Sequence, residues 1–210
     1  MTRIGYLGPR GTFSHEAMIK YTGEKEYISV DYPSIPDIFA ALQKNLLDEA
    51  ILPIENSIEG AVNATMDLIS QDSDLMIRAE VIIPVREHLL ARKGTDISQI
   101  RHVISHPQPL GQCRRFLAEK MPHALTRASS STAAAAEEVA AGSGDTAAIG
   151  SRTAAEVYGL EIIAADIQDN DNNLTRFIVL GRTDAPRTGN DKTSLLFSTE
   201  DKPGSLYRIL

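Results

Sequence analysis

Apolar residues along this chain fall into short runs that alternate with helical spacings. Residues 3–7, 27–32 and 50–54 are apolar stretches bounded by turn formers, and they predict strands. Between them, residues 14–21 and 35–47 predict helices, the second carried by Ile35, Ile38, Phe39, Leu42 and Leu46. Residues 61–70 predict a third helix. This βαβαβα rhythm argues for a parallel sheet covered by helices. The pattern then changes: residues 75–85 and 88–92 predict longer extended segments, interrupted by Pro84. A second alternation follows, with strands at 102–105, 124–128, 146–150 and 161–167 and helices at 109–120, 132–141 and 151–158. The Ala-rich tract within 132–141 reads as a buried helix packed close to a sheet, since Ala is the strongest helix former. After a strand at 176–180 comes a polar linker at 183–191 containing Pro and Gly, then a strand at 192–198 and a helix opened by Pro203-Gly204. Two α/β units joined by extended crossovers predict two lobes with a cleft between them.

Composition narrows the function. The 210 residues carry 21 Lys plus Arg against 28 Asp plus Glu, a net charge of −7, which argues against a phosphate-binding nucleic-acid footprint. The single cysteine, Cys113, excludes an intrachain disulfide and a four-thiolate metal site, and its place in a helix reads as a small buried hydrophobe. No apolar run approaches a membrane span and the N-terminus lacks a leader-like apolar segment, so the expected location is the cytoplasm.

Five segments combine strand ends with polar residues. Gly5-Tyr6-Leu7-Gly8-Pro9-Arg10-Gly11-Thr12-Phe13-Ser14 is a strand, a Gly-rich turn and a helix start. Its free N–H groups suit an anion, although the spacing is neither a dinucleotide fingerprint nor a P-loop, and Thr12 or Ser14 equally serves as an N-cap. Glu55, Asn56 and Ser57 follow a buried strand, where α/β sheets bind ligands, or they cap the next helix. Ser105 and Gln112 frame a similar strand end, in which His102 and His106 cannot share a helix face across Pro107 and so make a metal site improbable. Ser129, Ser130, Ser131 and Thr132 join another strand to a helix and again suit a cap. Residues 169–177 resemble a calcium loop in their acidic alternation, but Leu174 and Leu180 stand where Gly and Glu are needed. There Thr175 and Arg176 enter a strand and should point to opposite faces. Chemistry would rest on hydroxyls, amides, a carboxylate and an arginine.

Six stretches, GPRGTFS at 8–14, LPIENSIEG at 52–60, SHPQPLGQC at 105–113, SSSTAAAA at 129–136, AAIGS at 147–151 and NLTRF at 173–177, occur in order and together resemble the prephenate dehydratase family. The tail resembles the start of an ACT regulatory domain, with a first strand at 192–198 and a glycine-led helix at Gly204, Ser205 and Leu206. The resemblance implies an α/β, two-lobed fold of the type II periplasmic-binding-protein kind, followed by an incomplete α+β ACT domain. Lobe 1 is expected over about 1–78 plus 168–182, lobe 2 over 79–167, the linker over 183–191 and the ACT fragment over 192–210. The implied reaction turns prephenate into phenylpyruvate, carbon dioxide and water without a cofactor or metal. The implied catalytic residue is Thr175. Implied substrate-binding residues are Thr12, Glu55, Asn56, Ser57, Ser105, Gln112, Ser131, Asn173, Arg176 and Phe177. Helix N-termini after Gly11, Ser57 and Ser131 are expected to hold the substrate carboxylates. Gly204, Ser205 and Leu206 are implied to contribute to L-phenylalanine binding, and the chain to form a homo-oligomer, dimer or tetramer. Such a short tail should leave catalysis intact and the response to phenylalanine weak. Two other readings remain open: an arogenate dehydratase, and a non-catalytic binding module of the same fold.

Overall fold

The computed structural model describes residues 1–71, 74–142, 144–195 and 197–210. The first lobe begins β1 (Thr2–Leu7), α1 (Phe13–Thr22), β2 (Tyr27–Tyr32), α2 (Ile35–Gln43), β3 (Glu49–Asn56), β4 (Gly60–Ala61), α3 (Asn63–Gln71) and β5 (Met76–Pro84). The chain crosses into the second lobe at Val85 and builds β6 (His88–Ala91), β7 (His102–Ser105), α4 (Pro107–Gln112), α5 (Arg114–Lys120), β8 (Leu125–Ala128), α6 (Thr132–Ala141), β9 (Thr146–Gly150), α7 (Arg152–Tyr158) and β10 (Glu161–Ala164). It returns to the first lobe as β11 (Leu174–Gly181) and ends in α8 (Ser205–Ile209).

One sheet has the order β2-β1-β3-β11-β5, with β4 added to β3, and the other β10-β6-β9-β7-β8. β1 is parallel to β2 and β3, whereas β11, the returning strand, is antiparallel to both β3 and β5. This inserted strand gives the two-lobed α/β architecture expected from the sequence. The lobe boundary differs from the expected residue 78, because β5 stays paired with β11 through Leu174 opposite Pro84.

Each sheet is covered on both faces. In the first lobe, Ile4, Tyr6, Ile51, Val81, Phe177 and Val179 pack against Ala17 and Met18 of α1. On the opposite face Leu52, Ile178 and Leu180 meet Ile38, Phe39 and Leu42 of α2. In the second lobe, Ala135, Ala136 and Val139 of α6 lie on Leu90, Ile104 and Ala148. Methyl side chains allow that close approach, so the Ala-rich tract is core and not low complexity. Cys113 is likewise fully buried, beside Leu117 and Val103, and burial pushes its thiol up.

Several expected elements changed. The helix expected at 109–120 is two helices broken at Cys113 (φ −116°, ψ 20°). The stretch after Ser57 opens the small strand β4 before α3 begins at Asn63, so no helix N-terminus follows Ser57 directly. The strand expected at 192–198 is absent among the described residues of that stretch, and Leu196 lies outside them. A strand exists through its ladder partner, and no strand among the described residues pairs with Lys192–Leu195. Gly204 does open α8, with φ 81°.

The lobes are tied by two chain crossings. Val85 N–H donates to the Asn173 carbonyl (2.8 Å) and Ile167 N–H to the Glu87 carbonyl (2.8 Å). Glu87 N–H donates to Gln168 Oε1 (3.0 Å). Away from the crossings, Ser151 Oγ donates to the Gly11 carbonyl (2.8 Å) and the Tyr158 hydroxyl to the Arg10 carbonyl (3.0 Å). The first turn thus touches α7, and Thr12 caps α1 by accepting from His15 N–H.

Candidate active site

The antiparallel register of β3 and β11 sets Asn56 opposite Thr175 and Glu55 opposite Arg176. Residues directly opposite share a face, and neighbours along a strand alternate. Thr175 and Asn56 therefore share one face of the sheet, and Arg176 and Glu55 share the other.

Asn56 sits where β3 turns into β4. Its Oδ1 accepts two backbone N–H groups, from Ile58 (2.9 Å) and Glu59 (3.0 Å). Only an oxygen can do that, so the turn fixes which end of the amide points away from it. The outward Nδ2 donates to Asn173 Oδ1 (2.8 Å) and to Thr175 Oγ1 (2.9 Å). Asn173, 2% exposed, is oriented in turn, and its Nδ2 donates to Gln112 Oε1 (3.2 Å) in the second lobe. The relay leaves two donors over. The Thr175 oxygen already accepts, which leaves its proton for another acceptor. Gln112 Nε2 is buried without a hydrogen-bond partner. An unspent buried donor is costly unless a ligand oxygen completes it. Ser57 locks the neighbouring backbone: its hydroxyl donates to the Asn172 carbonyl (3.0 Å) and accepts from Leu174 N–H (2.9 Å).

On the opposite face Arg176 pairs with Glu55 (2.9 Å) and approaches Glu80 (4.0 Å), which Lys192 also meets (2.8 Å). Glu55 and Arg176 are thus brought to each other and not to Thr175. Phe177 is 2% exposed and lies in the core beneath the Thr175 face, so it supports the strand instead of lining an open surface. Ser105 is fully buried, its hydroxyl donating to the Ile149 carbonyl (2.7 Å). Ser131 caps α6 by accepting from Ala134 N–H (3.0 Å), and Thr12 donates to the Leu7 carbonyl (3.1 Å). Strand alternation and capping claimed these hydroxyls, so of the expected set the structure unites Asn56, Ser57, Gln112, Asn173 and Thr175.

Residues of the crossings were not anticipated as part of the site. Arg86 pairs with Asp171 (2.8 Å), which also accepts from Gln168 Nε2 (2.8 Å). The acidic alternation at 169–173 was the signal; it serves a cross-lobe network instead of a cation loop. Glu87 is 1% exposed with Oε2 unpartnered, and burial, reinforced by Glu16, pushes its carboxyl up to about 8. His15 stacks on Tyr6 (centroids 5.1 Å apart) and accepts Gly11 N–H at Nδ1 (3.1 Å), while burial lowers its pKa. Among the described residues no group of three or more His, Cys, Asp or Glu is arranged to hold a metal ion, and no helix is long and apolar enough to cross a membrane.

Two α/β lobes meeting over an amide–hydroxyl relay, with Gln112 Nε2 left unpartnered, define a two-lobed α/β protein. The comparisons with known proteins make the class specific. The family model described as prephenate dehydratase matches residues 4–185. The chain belongs to the prephenate dehydratase family. It is 38% identical over 208 residues to a bifunctional chorismate mutase/prephenate dehydratase of Aquifex aeolicus, covering 99% of this chain and 56% of that protein. It is 39% identical over 211 residues to arogenate dehydratase/prephenate dehydratase 2, chloroplastic, of Arabidopsis thaliana, covering 99% of this chain and 54% of that protein. It thus spans about half the length of these curated relatives. Among solved structures, prephenate dehydratase of Arthrobacter aurescens in complex with L-Phe superposes with a TM-score of 0.81 at 32% identity, covering 99% of this chain and 70% of that one.

Proposed function

We propose that the chain converts prephenate to phenylpyruvate, carbon dioxide and water, a step of aromatic amino-acid biosynthesis. The observation that carries this reading is the Thr175 hydroxyl, held as an acceptor by Asn56 and therefore free to donate. Prephenate is a dianion whose ring carries a hydroxyl. As the ring C–O bond breaks, the ring carboxylate leaves as carbon dioxide and its electrons complete the aromatic sextet. The departing hydroxide takes up a proton and becomes water. Aromatisation drives the reaction, and the poor leaving group is the barrier. A positioned donor at that oxygen supplies about 10²–10⁴-fold. Thr175 is a weak acid, so it acts as a hydrogen-bond donor that relays a proton. Gln112 Nε2 supplies a second donor, from the other lobe, that binds and orients the substrate. A net negative protein binds a dianion because donors at contact distance outweigh distant charge.

The test is formation of phenylpyruvate from prephenate. Thr175→Ala should lose nearly all turnover while keeping the melting temperature, and Thr175→Ser should retain part of it. Near-normal turnover by the alanine variant removes Thr175 from the mechanism. The Arabidopsis relative's double name favours a second reading, dehydration of arogenate. Comparing kcat/KM on the two substrates decides between them, and binding of both without turnover would leave a binding module. The Arthrobacter relative's L-Phe complex supports extending the reading to phenylalanine as a regulator. Gly204, Ser205 and Leu206 at the start of α8 are the candidate contributors, of which Ser205 is buried and Leu206 exposed.

A further inference from the structure

The break between α4 and α5 is occupied from the other lobe's crossing segment. At Cys113 the Gln112 carbonyl leaves the helical ladder and accepts the Asp169 backbone N–H (2.6 Å). The Asp169 carboxylate then accepts Arg115 N–H, at 3.2 Å and 3.4 Å from its two oxygens, in the first turn of α5. Asp169 therefore fastens both sides of the break, and a carboxylate at a helix start is electrostatically favoured there. The same segment carries Asn173 four residues later, whose side chain meets Gln112 Oε1. The backbone and the side chain of Gln112 are thus held by one piece of chain.

We propose that Asp169 is a positioning residue: by holding the α4–α5 break it aims Gln112, so that Oε1 takes Asn173 and Nε2 is presented to the substrate. The inference rests on the prephenate reading above and concerns Asp169 alone. An uninterrupted helix over 109–120 would carry the Gln112 carbonyl into its own ladder and leave the bond from Asn173 as the hold on the side chain from the returning segment.

The experiment is a double-mutant cycle on the full chain, with steady-state turnover of prephenate as readout. Gln112→Ala and Asp169→Ala should each raise KM about tenfold with kcat changed less, and the double variant should also sit near tenfold, because the first removes the donor and the second, which frees Arg115 N–H while keeping the backbone N–H on the Gln112 carbonyl, loosens its aim. Asp169→Asn keeps an oxygen for Arg115 N–H and should stay within about threefold of wild type. A double variant near a hundredfold, an unaffected Asp169→Ala, an unaffected Gln112→Ala, or an asparagine variant as impaired as alanine each overturns the inference. Circular dichroism and melting identify a variant that fails to fold, in which case Asp169→Asn combined with Gln112→Ala carries the test, expected to match Gln112→Ala alone. A wild-type chain inert on prephenate overturns the functional reading first and this inference with it; failure of the cycle in an active enzyme overturns only the role of Asp169.

Discussion

Replacing Asn56 by aspartate changes one atom of the relay while keeping its shape. In the native side chain Oδ1 holds the turn through Ile58 and Glu59, and Nδ2 serves Asn173 and Thr175. The aspartate retains an oxygen for the turn, so the fold should survive with its melting temperature within a few degrees. The second oxygen faces Thr175 Oγ1 and Asn173 Oδ1, both acceptors in the native relay. Thr175 then turns its proton toward the new carboxylate, and that proton is lost to the leaving group. Removing the donor contribution lowers kcat by at least about 100-fold, or about 2.7 kcal/mol. Asn173 can answer by flipping its amide, and Gln112 must then flip as well, which spends Nε2 on the Asn173 oxygen and leaves Oε1 where the donor had been. Binding suffers independently, since a unit charge about 6 Å from a substrate charge is worth about 3 kcal/mol at an effective dielectric of about 20. The assay is the initial rate of phenylpyruvate formation for Asn56→Asp beside wild type. Relative activity should recover as the pH falls toward about 4, where the carboxyl regains a proton and can donate again. A kcat within about threefold of wild type at neutral pH would refute the assignment of donor and acceptor roles along the relay.

Two further outcomes concern the contacts between lobes. Glu87 has an ordinary carboxyl value of 4.5 unfolded and about 8 folded, so its contribution is fully present below 4.5 and lost as the pH rises through 8. The melting temperature of wild type minus that of Glu87→Gln should therefore fall across pH 4.5–8 and level off above, and a constant difference would show that Glu87 is not buried in its neutral form. Gly11 has φ +92°, and a Cβ there would lie 3.1 Å from Ala154 Cα, a backbone atom that cannot swing aside. Gly11→Ala should destabilise by about 2 kcal/mol and lower the melting temperature by about 4–8 °C in calorimetry, whereas an unchanged transition would mean the turn does not rest on α7.

Much of the fold was legible from local periodicity. The strands at 27–32, 102–105 and 146–150 and the helix at 132–141 fall where alternation and helical spacing set them, because those signals depend only on neighbouring residues. Elements that differed depend on more than neighbouring residues: the helix over 109–120 breaks at Cys113, where the Gln112 carbonyl accepts Asp169 N–H, and the strand at 192–198 is absent among the described residues of that stretch. The site was half legible. Motif order brought Asn56, Gln112, Asn173 and Thr175 forward, and strand alternation separated Thr175 from Arg176. No local pattern shows that Arg176 is spent on Glu55, that Ser105 is spent on Ile149, or that Glu87 is buried with an unpartnered oxygen.

The sequence by itself determined the α/β alternation, the core positions and the chemical types available, since each follows from side-chain size, polarity and backbone preference within a few residues. Only the tertiary structure decided which polar groups meet. Asn56 reaches Asn173 across 117 residues of chain and Asn173 reaches Gln112 across 61. Those distances are closed by β11 inserting between β3 and β5 and by the crossing segment seating in the α4–α5 break. A hydrogen bond is made or lost within a fraction of an ångström, so the relay exists only once both lobes are packed.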